Sequence, residues 1–131
     1  MVTSLVAAVS SYSPMGDFRE LRAWKEAKVL IRLSKAAIRQ LPGDERYALA
    51  DQWRRAAYSV ALNIAEGASR KGPREFRRYL DIARGSLHEL EAIFEIVAEM
   101  DYIPSDDLEP IATARDNCAK MVYGLLRSMG G

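Results

Sequence analysis

The sequence has little of the residue types that build metal sites, disulfides and membrane spans. Among its 131 residues there is one cysteine, Cys118, and one histidine, His88. A single cysteine excludes an internal disulfide and any multi-cysteine metal site. No apolar run approaches the roughly 18 to 20 residues of a membrane span. There is also no glycine-rich phosphate loop and no nucleophile elbow, so the sequence predicts no enzyme, no metal, no cofactor and no membrane association.

The sequence also lacks an excess of positive or negative charge. Nineteen Lys and Arg stand against eighteen Asp and Glu, which leaves a net charge of +1, so only local clustering could indicate a polyanionic partner. The length corresponds to one domain. We expect residues 1–16 to form a flexible leader and residues 17–131 to form the domain. Met15, just before the first patterned residue, is a candidate for the true start.

Four segments repeat apolar residues at spacings of three and four, which is typical of amphipathic helices. Asp17, Asp44 and either Ser105 or Asp106 are candidate N-caps, and Pro73 suits the first position of a third helix. The apolar stripes are residues 21, 24, 27, 31, 34, 38 and 41; 53, 56, 60 and 64; 76, 80, 83, 87, 90, 94 and 97; and 108, 111, 118, 122, 125 and 129. The pattern predicts an all-α fold, an up-down-up-down antiparallel four-helix bundle.

A polar seam runs beside the apolar stripe of the second helix. Buried polar groups are costly unless they are hydrogen-bonded, so the seam needs partners. The seam comprises Gln52, Arg55, Ser59, Asn63 and Glu66. We expect its partners either in the same bundle or on another subunit.

Charges are unevenly distributed along the third helix. Residues 70–84 hold six basic residues against two acidic ones, a net of +4, whereas residues 86–109 hold eight acidic residues and no Lys or Arg. This order opposes the helix dipole. Three interpretations remain open: an anionic partner, head-to-tail self-assembly, or a solvated surface without a partner. The candidate nucleic-acid-binding residues are Arg70, Lys71, Arg74, Arg77, Arg78 and Arg84.

The third helix is apolar on more than one stripe, because Tyr79, Ile82, Ile93 and Ile96 flank its core positions. Such an excess indicates a second buried surface and hence an oligomer. Gly85 and Ser86 lie in the middle of this helix, where small residues indicate the close approach of another helix.

A small-ligand or metal-binding bundle is a further alternative. It would use Asn63, Glu66 or His88. A ferritin-like site needs two Glu-x-x-His pairs and more inward glutamates. Here His88 is alone, and no glutamate precedes it by three residues.

Four sequence blocks, in order, resemble the four-helix bundle proteins encoded within intervening sequences of 23S ribosomal RNA genes. They are residues 18–24 (FRELRAW), 52–59 (QWRRAAYS), 63–67 (NIAEG) and 75–90 (EFRRYLDIARGSLHEL). The resemblance covers about residues 17–129. It implies a cytoplasmic bacterial protein whose bundles assemble into a ring, a homopentamer. It also implies that Asn63 and Glu66 of the second helix meet Ser86 and Glu89 of the third, with Arg55 as the counter-charge for Glu66 or Glu89. Together with the rest of the seam these residues form the predicted polar network, which either fixes helix register or binds a ligand. A related branch serves as accessory protein to the reverse transcriptases of diversity-generating retroelements and binds nucleic acid through a basic ring.

From these observations we predict a non-catalytic, oligomeric interaction or scaffold protein that binds RNA or a nucleoprotein through its basic surface. The alternatives are a purely structural homo-oligomer without a nucleic-acid partner and the ligand-binding bundle.

Overall fold

The computed structural model describes residues 17–129, and within that range the regular structure is helical throughout. The α-helices are α1 (Arg22–Ile38), α2 (Leu49–Ala68), α3 (Gly72–Glu99) and α4 (Ser105–Ser128). Two short 3-10 turns, Phe18–Glu20 and Gly43–Glu45, precede α1 and α2. The leader predicted for residues 1–16 lies outside the described residues, as do Gly130 and Gly131.

Three of the predicted caps act differently from expectation. The Asp17 side chain accepts a hydrogen bond from the Arg19 amide at 3.0 Å, so it caps the first 3-10 turn rather than α1 itself. Asp44 lies inside the second 3-10 turn, and α2 begins five residues later. No side chain caps α4, which Pro104 precedes. These polar residues either belong to short 3-10 turns or face water. They therefore indicate roughly where a helix starts but not which residue is its first.

The interface between α2 and α3 forms the centre of the core. Trp53 is fully buried and meets Phe94 edge-to-face, with ring centroids 5.4 Å apart. The predicted stripes of both helices, from Trp53 to Ile64 and from Phe76 to Val97, are buried as expected. At the other end of α2, Gly67 lies against Phe76 and Tyr79 of α3. A long apolar seam therefore fixes α3 on α2.

The seam predicted for α1 is confirmed at Ala27, Ser34 and Leu41 and is displaced by one position at three others. Its buried residues are Ala23, Ala27, Leu30, Ser34 and Ala37. The larger residues Trp24, Ile31 and Ile38, which the heptad reading placed in the centre, are only half-buried. Alanines occupy much of the centre because α1 packs closely on both α2 and α4. A heptad pattern assigned to the large apolar residues does not include Ala23 and Ala37.

On α4 the stripe holds for its first part and shifts near the end. Leu108, Ile111, Cys118 and Val122 are buried as predicted, whereas Leu125 and Met129 are half-buried. Leu126 and two alanines take the remaining core positions. Like α2, α4 contacts both α1 and α3, so α1 and α3 lie on opposite sides of the core.

Candidate nucleic-acid interface

The basic residues predicted to bind nucleic acid surround the junction between α2 and α3. Arg70 and Lys71 belong to the connection, and the other four lie on the first half of α3. All are exposed except Arg77, which is half-buried. We call this set the basic surface; it comprises Arg70, Lys71, Arg74, Arg77, Arg78 and Arg84.

The basic surface does not lie on one side of the bundle. The guanidinium carbons of Arg70 and Arg78 lie 5.3 and 4.6 Å from the centroid of the Tyr79 ring. Such cation–π contacts hold both side chains on the flank that α3 shares with α2. Arg77 and Arg84, by contrast, line a groove between α3 and α4. The sequence cluster is therefore divided between two flanks of α3.

Half of the basic surface is neutralised locally. Arg70 pairs with Glu66 at 2.6 Å, Arg78 with Glu75 at 3.3 Å and Arg84 with Asp81 at 3.1 Å. These pairs are exposed and screened by solvent, so each contributes little to the free energy of folding. They leave the arginines available to other anions. The hydrogen bond to Glu75 also raises the pKa of Arg78, so this guanidinium is charged at every physiological pH.

The other half has no carboxylate partner within the described part of the chain. Lys71, Arg74 and Arg77 form no salt bridge there. Lys71 immediately precedes α3, and Gly72, with φ +81°, and Pro73 turn the chain into the helix. The free N–H groups of the first helical turn add partial positive charge beside these cations.

The groove between α3 and α4 brings in residues that the sequence reading did not select. Its lining is Arg77, Arg84, Lys120, Tyr123, Leu126 and Arg127, and its volume is about 430 Å³. The α4 residues do not belong to the sequence cluster of basic residues, because they are more than 40 positions from Arg77 in the chain. A signal existed nevertheless, since residues 120, 123 and 127 recur at spacings of three and four and so share one face of a helix.

Part of the predicted polar network is present between α2 and α3. The Ser86 hydroxyl donates to the Ser59 hydroxyl across the interface at 2.7 Å. The Asn63 amide donates to the Ser59 carbonyl at 2.8 Å and to its hydroxyl at 3.1 Å. All three side chains are half-buried, so each hydrogen bond contributes about 1 kcal/mol or less. The network joins one point of α2 to one point of α3.

The other four predicted members are exposed on the single chain, so the prediction that α2 and α3 of one chain bury them between themselves is wrong. They are Gln52, Arg55, Glu66 and Glu89. Arg55 pairs with Asp51 at 3.1 Å, one turn away, and not with either glutamate. The seam follows the rim of the α2–α3 interface instead of its centre, so water and local ion pairs satisfy these charges.

A sequence model described as 23S rRNA-intervening sequence protein matches residues 19–124. The chain belongs to this family. A solved structure of a protein of unknown function from the S23 ribosomal protein family of Bacteroides thetaiotaomicron VPI-5482 is similar, with a TM-score of 0.74 and 18% identity. The similarity covers 80% of this chain and 98% of that one and supports the four-helix fold. No curated protein matches the sequence.

In this member of the intervening-sequence protein family, neither His88 nor Cys118 belongs to a cluster suited to metal binding. His88 is exposed, and its Nδ1 lies 3.7 Å from a Glu91 carboxylate oxygen. Residues 17–129 contain no group of three His, Cys, Asp or Glu side chains that could hold a metal ion. Burial raises the pKa of the Cys118 thiol to about 12, and the thiol faces the Ala23 carbonyl at 3.6 Å. Cys118 is therefore a protonated core residue at neutral pH.

Among the described helices of this family member, none is long and apolar enough to cross a bilayer.

Large apolar side chains remain exposed on both α2 and α3. Leu62 is 62% exposed, and Ile82 and Ile96 are nearly half exposed. Gly85, between the two isoleucines, has no atom within 4 Å of where a Cβ would lie. Of the two small residues predicted to mark the approach of another helix, Ser86 meets α2, whereas no helix of the described chain reaches Gly85. We call Leu62, Ile82, Gly85 and Ile96 the apolar face.

Proposed function

We propose that this family member is a non-catalytic, cytoplasmic scaffold protein that binds RNA, free or within a nucleoprotein, through its basic surface. The observation that carries the proposal is the set of unpaired cations at the α2–α3 junction. Lys71 and Arg74 are exposed, Arg77 is half-buried, and all three lack a carboxylate partner among residues 17–129. Such cations gain free energy from phosphate contacts by releasing the counterions condensed on the nucleic acid.

The position of these cations at the start of a helix also favours an anionic partner. Placing bases at the start of α3 costs about 0.3 to 1 kcal/mol per charge against the helix dipole. Phosphate oxygens would offset that cost, since they can accept hydrogen bonds from the free N–H groups of the first turn and from the arginines together. A solvated surface without a partner leaves this cost uncompensated.

A triple charge reversal tests the RNA-binding proposal. Arg74→Glu, Arg77→Glu and Arg78→Glu together should weaken binding of a fluorescein-labelled RNA by about tenfold to a thousandfold, because each lost phosphate contact removes on the order of 1 kcal/mol. Fluorescence anisotropy measures the affinity, and circular dichroism confirms that the variant is folded.

The matched control reverses three exposed cations of α1: Arg32, Lys35 and Arg39. This variant has the same net charge, but its substitutions lie across the core from α3. Unchanged affinity in the α3 variant, or equal losses in both variants, would overturn the proposal. Equal losses would show that RNA responds to net charge alone.

We also propose that the bundle, with its helices in up-down-up-down order, self-associates through the apolar face into a ring, a homopentamer. The exposure of Leu62, Ile82 and Ile96 beside an open Gly85 supports this, because solvent-exposed apolar clusters beside small residues suit helix–helix contact between copies. Native mass spectrometry should show one closed oligomer.

Leu62→Glu with Ile82→Glu should reduce that oligomer to smaller species. Tyr47→Glu, which removes a still more exposed large side chain outside the apolar face, should leave it intact. A wild-type protein that is monomeric at micromolar concentration contradicts the ring.

Two alternatives are distinguished by the same experiments. A purely structural oligomer would form the ring while gel shifts with RNA and DNA stay empty. A small-ligand or metal-binding bundle would co-purify with a ligand in contact with Asn63, Glu66 or His88, which native mass spectrometry detects as added mass.

A further inference from the structure

The groove between α3 and α4 combines positive charge with an exposed aromatic ring. Arg77 and Arg84 lie on its α3 side, and Lys120 and Arg127 lie on its α4 side. Within each pair the residues are seven apart, which is about 10 Å along a helix. Tyr123 lies between the two α4 cations on the same helical face, and its side chain is 45% exposed.

The groove keeps most of its charge. Lys120, Arg127 and Arg77 form no ion pair with any residue in the range 17–129, and only Arg84 has a carboxylate neighbour, Asp81. Among the residues that the structure describes, no acidic side chain contributes to the lining. Leu126, beside the tyrosine, is buried and gives the groove an apolar floor. An occupant therefore has to be anionic and to carry a flat apolar surface as well.

We propose that this groove binds single-stranded RNA, with backbone phosphates on Arg77, Lys120 and Arg127 and with one base stacked on the Tyr123 ring. The inference rests on the proposed RNA-binding function and adds to it a second helix, α4, and a preference for unpaired strands. Stacking on an aromatic ring between cations is the way in which single strands are bound without sequence preference.

The shape of the groove favours a single strand over the other anionic occupants. A duplex keeps its bases stacked inside and presents phosphates and sugars, so it cannot use Tyr123. A helix from the acidic half of another copy is about 10 to 12 Å across with its side chains. The groove, at about 430 Å³, has the volume of a small-ligand site, which suits a nucleotide better than a helix.

The experiment measures the contribution of the α4 cations separately from that of the α3 arginines, which already belong to the basic surface. The probes are a labelled ten-nucleotide oligouridylate and a labelled ten-base-pair RNA duplex, titrated with the full chain at about 100 mM salt. Lys120→Glu with Arg127→Glu should weaken oligouridylate binding about tenfold or more, while Arg32→Glu with Lys35→Glu, the charge-matched control on α1, should not. Tyr123→Ala should cost about fivefold or more.

Tyr123→Phe provides the second aromatic control, since it keeps the ring and removes only the hydroxyl. It should bind the oligouridylate as the wild type does, and Tyr123→Ala should not change duplex affinity. Circular dichroism and native mass spectrometry of each variant establish that fold and assembly are intact.

Several results would overturn the inference. If the α4 variants bind as the wild type does while the triple α3 variant fails, the groove is not the site and the proposed function stands. If the wild type binds neither probe, both proposals fail. If Tyr123→Ala has no effect, or the duplex binds more tightly than the single strand, the stacking role is wrong. If Lys120→Glu with Arg127→Glu disrupts the oligomer instead of RNA binding, the groove receives another copy of the chain.

Discussion

Gly67 should be intolerant of a single added methyl group, although it lies in a helix where alanine is normally preferred. A Cβ at this position would lie 2.8 Å from the Tyr79 Cβ, 2.9 Å from the Phe76 Cδ1 and 3.3 Å from the Phe76 carbonyl oxygen. Carbon atoms in contact are normally about 3.5 to 4.0 Å apart. Because the Tyr79 Cβ and the Phe76 carbonyl are fixed to the α3 main chain, a change of rotamer cannot relieve the overlap, and α3 must move away from α2.

Two opposing terms set the size of the effect. Overpacking of this kind costs about 1 to 3 kcal/mol, and it would also strain the Ser59–Ser86 hydrogen bond further along the same interface. Replacing glycine by alanine inside a helix returns about 1 kcal/mol. Gly67→Ala should therefore lower the free energy of unfolding by up to about 2 kcal/mol, which is at most several degrees in Tm for a domain of this size.

Gly85→Ala is the matched control, because this glycine is also inside a helix but has no atom within 4 Å of the new Cβ. It should raise the free energy of unfolding of the isolated chain by about 0.5 to 1 kcal/mol. Urea unfolding followed by circular dichroism measures both variants at one protomer concentration, since assembly couples to stability. A Gly67→Ala protein as stable as Gly85→Ala would refute the close approach of α2 and α3.

Three further predictions concern polar and ionisable groups. Ser59→Ala and Ser86→Ala should each cost about 1 kcal/mol, and the double variant should cost less than the sum, a coupling that a urea double-mutant cycle measures. Ser34→Ala should stabilise the chain by about 1 kcal/mol in the same assay, because the buried Ser34 hydroxyl has no hydrogen-bond partner. A lower free energy of unfolding for Ser34→Ala would contradict this and would show that the Ser34 hydroxyl has a hydrogen-bond partner. Burial raises the pKa of Cys118 from 9.0 to about 12, so the folded state keeps a proton that the unfolded state loses above pH 9. Stability should therefore fall by about 1.4 kcal/mol per pH unit above pH 9, relative to Cys118→Ala, whose profile lacks that component. Parallel profiles would contradict this.

The sequence predicted the stripe of α3 well because most of its core positions are large and all are regularly spaced. Between Phe76 and Val97 apolar residues recur at strict four-three spacing, and every position of that stripe is buried. On α1 the same reasoning placed Ala27 and Ser34 correctly but missed Ala23 and Ala37, since close packing there selects small residues and leaves Trp24 and Ile38 at the rim. Periodicity finds a helix face, but the volume available between helices decides which residue is central.

The candidate site was predicted only in part, for two physical reasons. A seam of polar residues on a helix does not reveal whether it meets the centre or the rim of an interface, so Ser59 was placed correctly and Glu66 was not. The groove depends on Lys120 and Arg127, which are far from Arg77 in the chain and come together only through the packing of α4 on α3.

The salt dependence of RNA affinity tests the central claim most directly. For a single strand, the logarithm of the association constant falls by about 0.7 per phosphate contacted for each tenfold rise in salt. Contacts to about four phosphates, from cations such as Arg74, Arg77, Lys120 and Arg127, predict a slope near −3 between roughly 50 and 300 mM NaCl. A slope near zero, or the absence of measurable binding at 50 mM, would contradict the account.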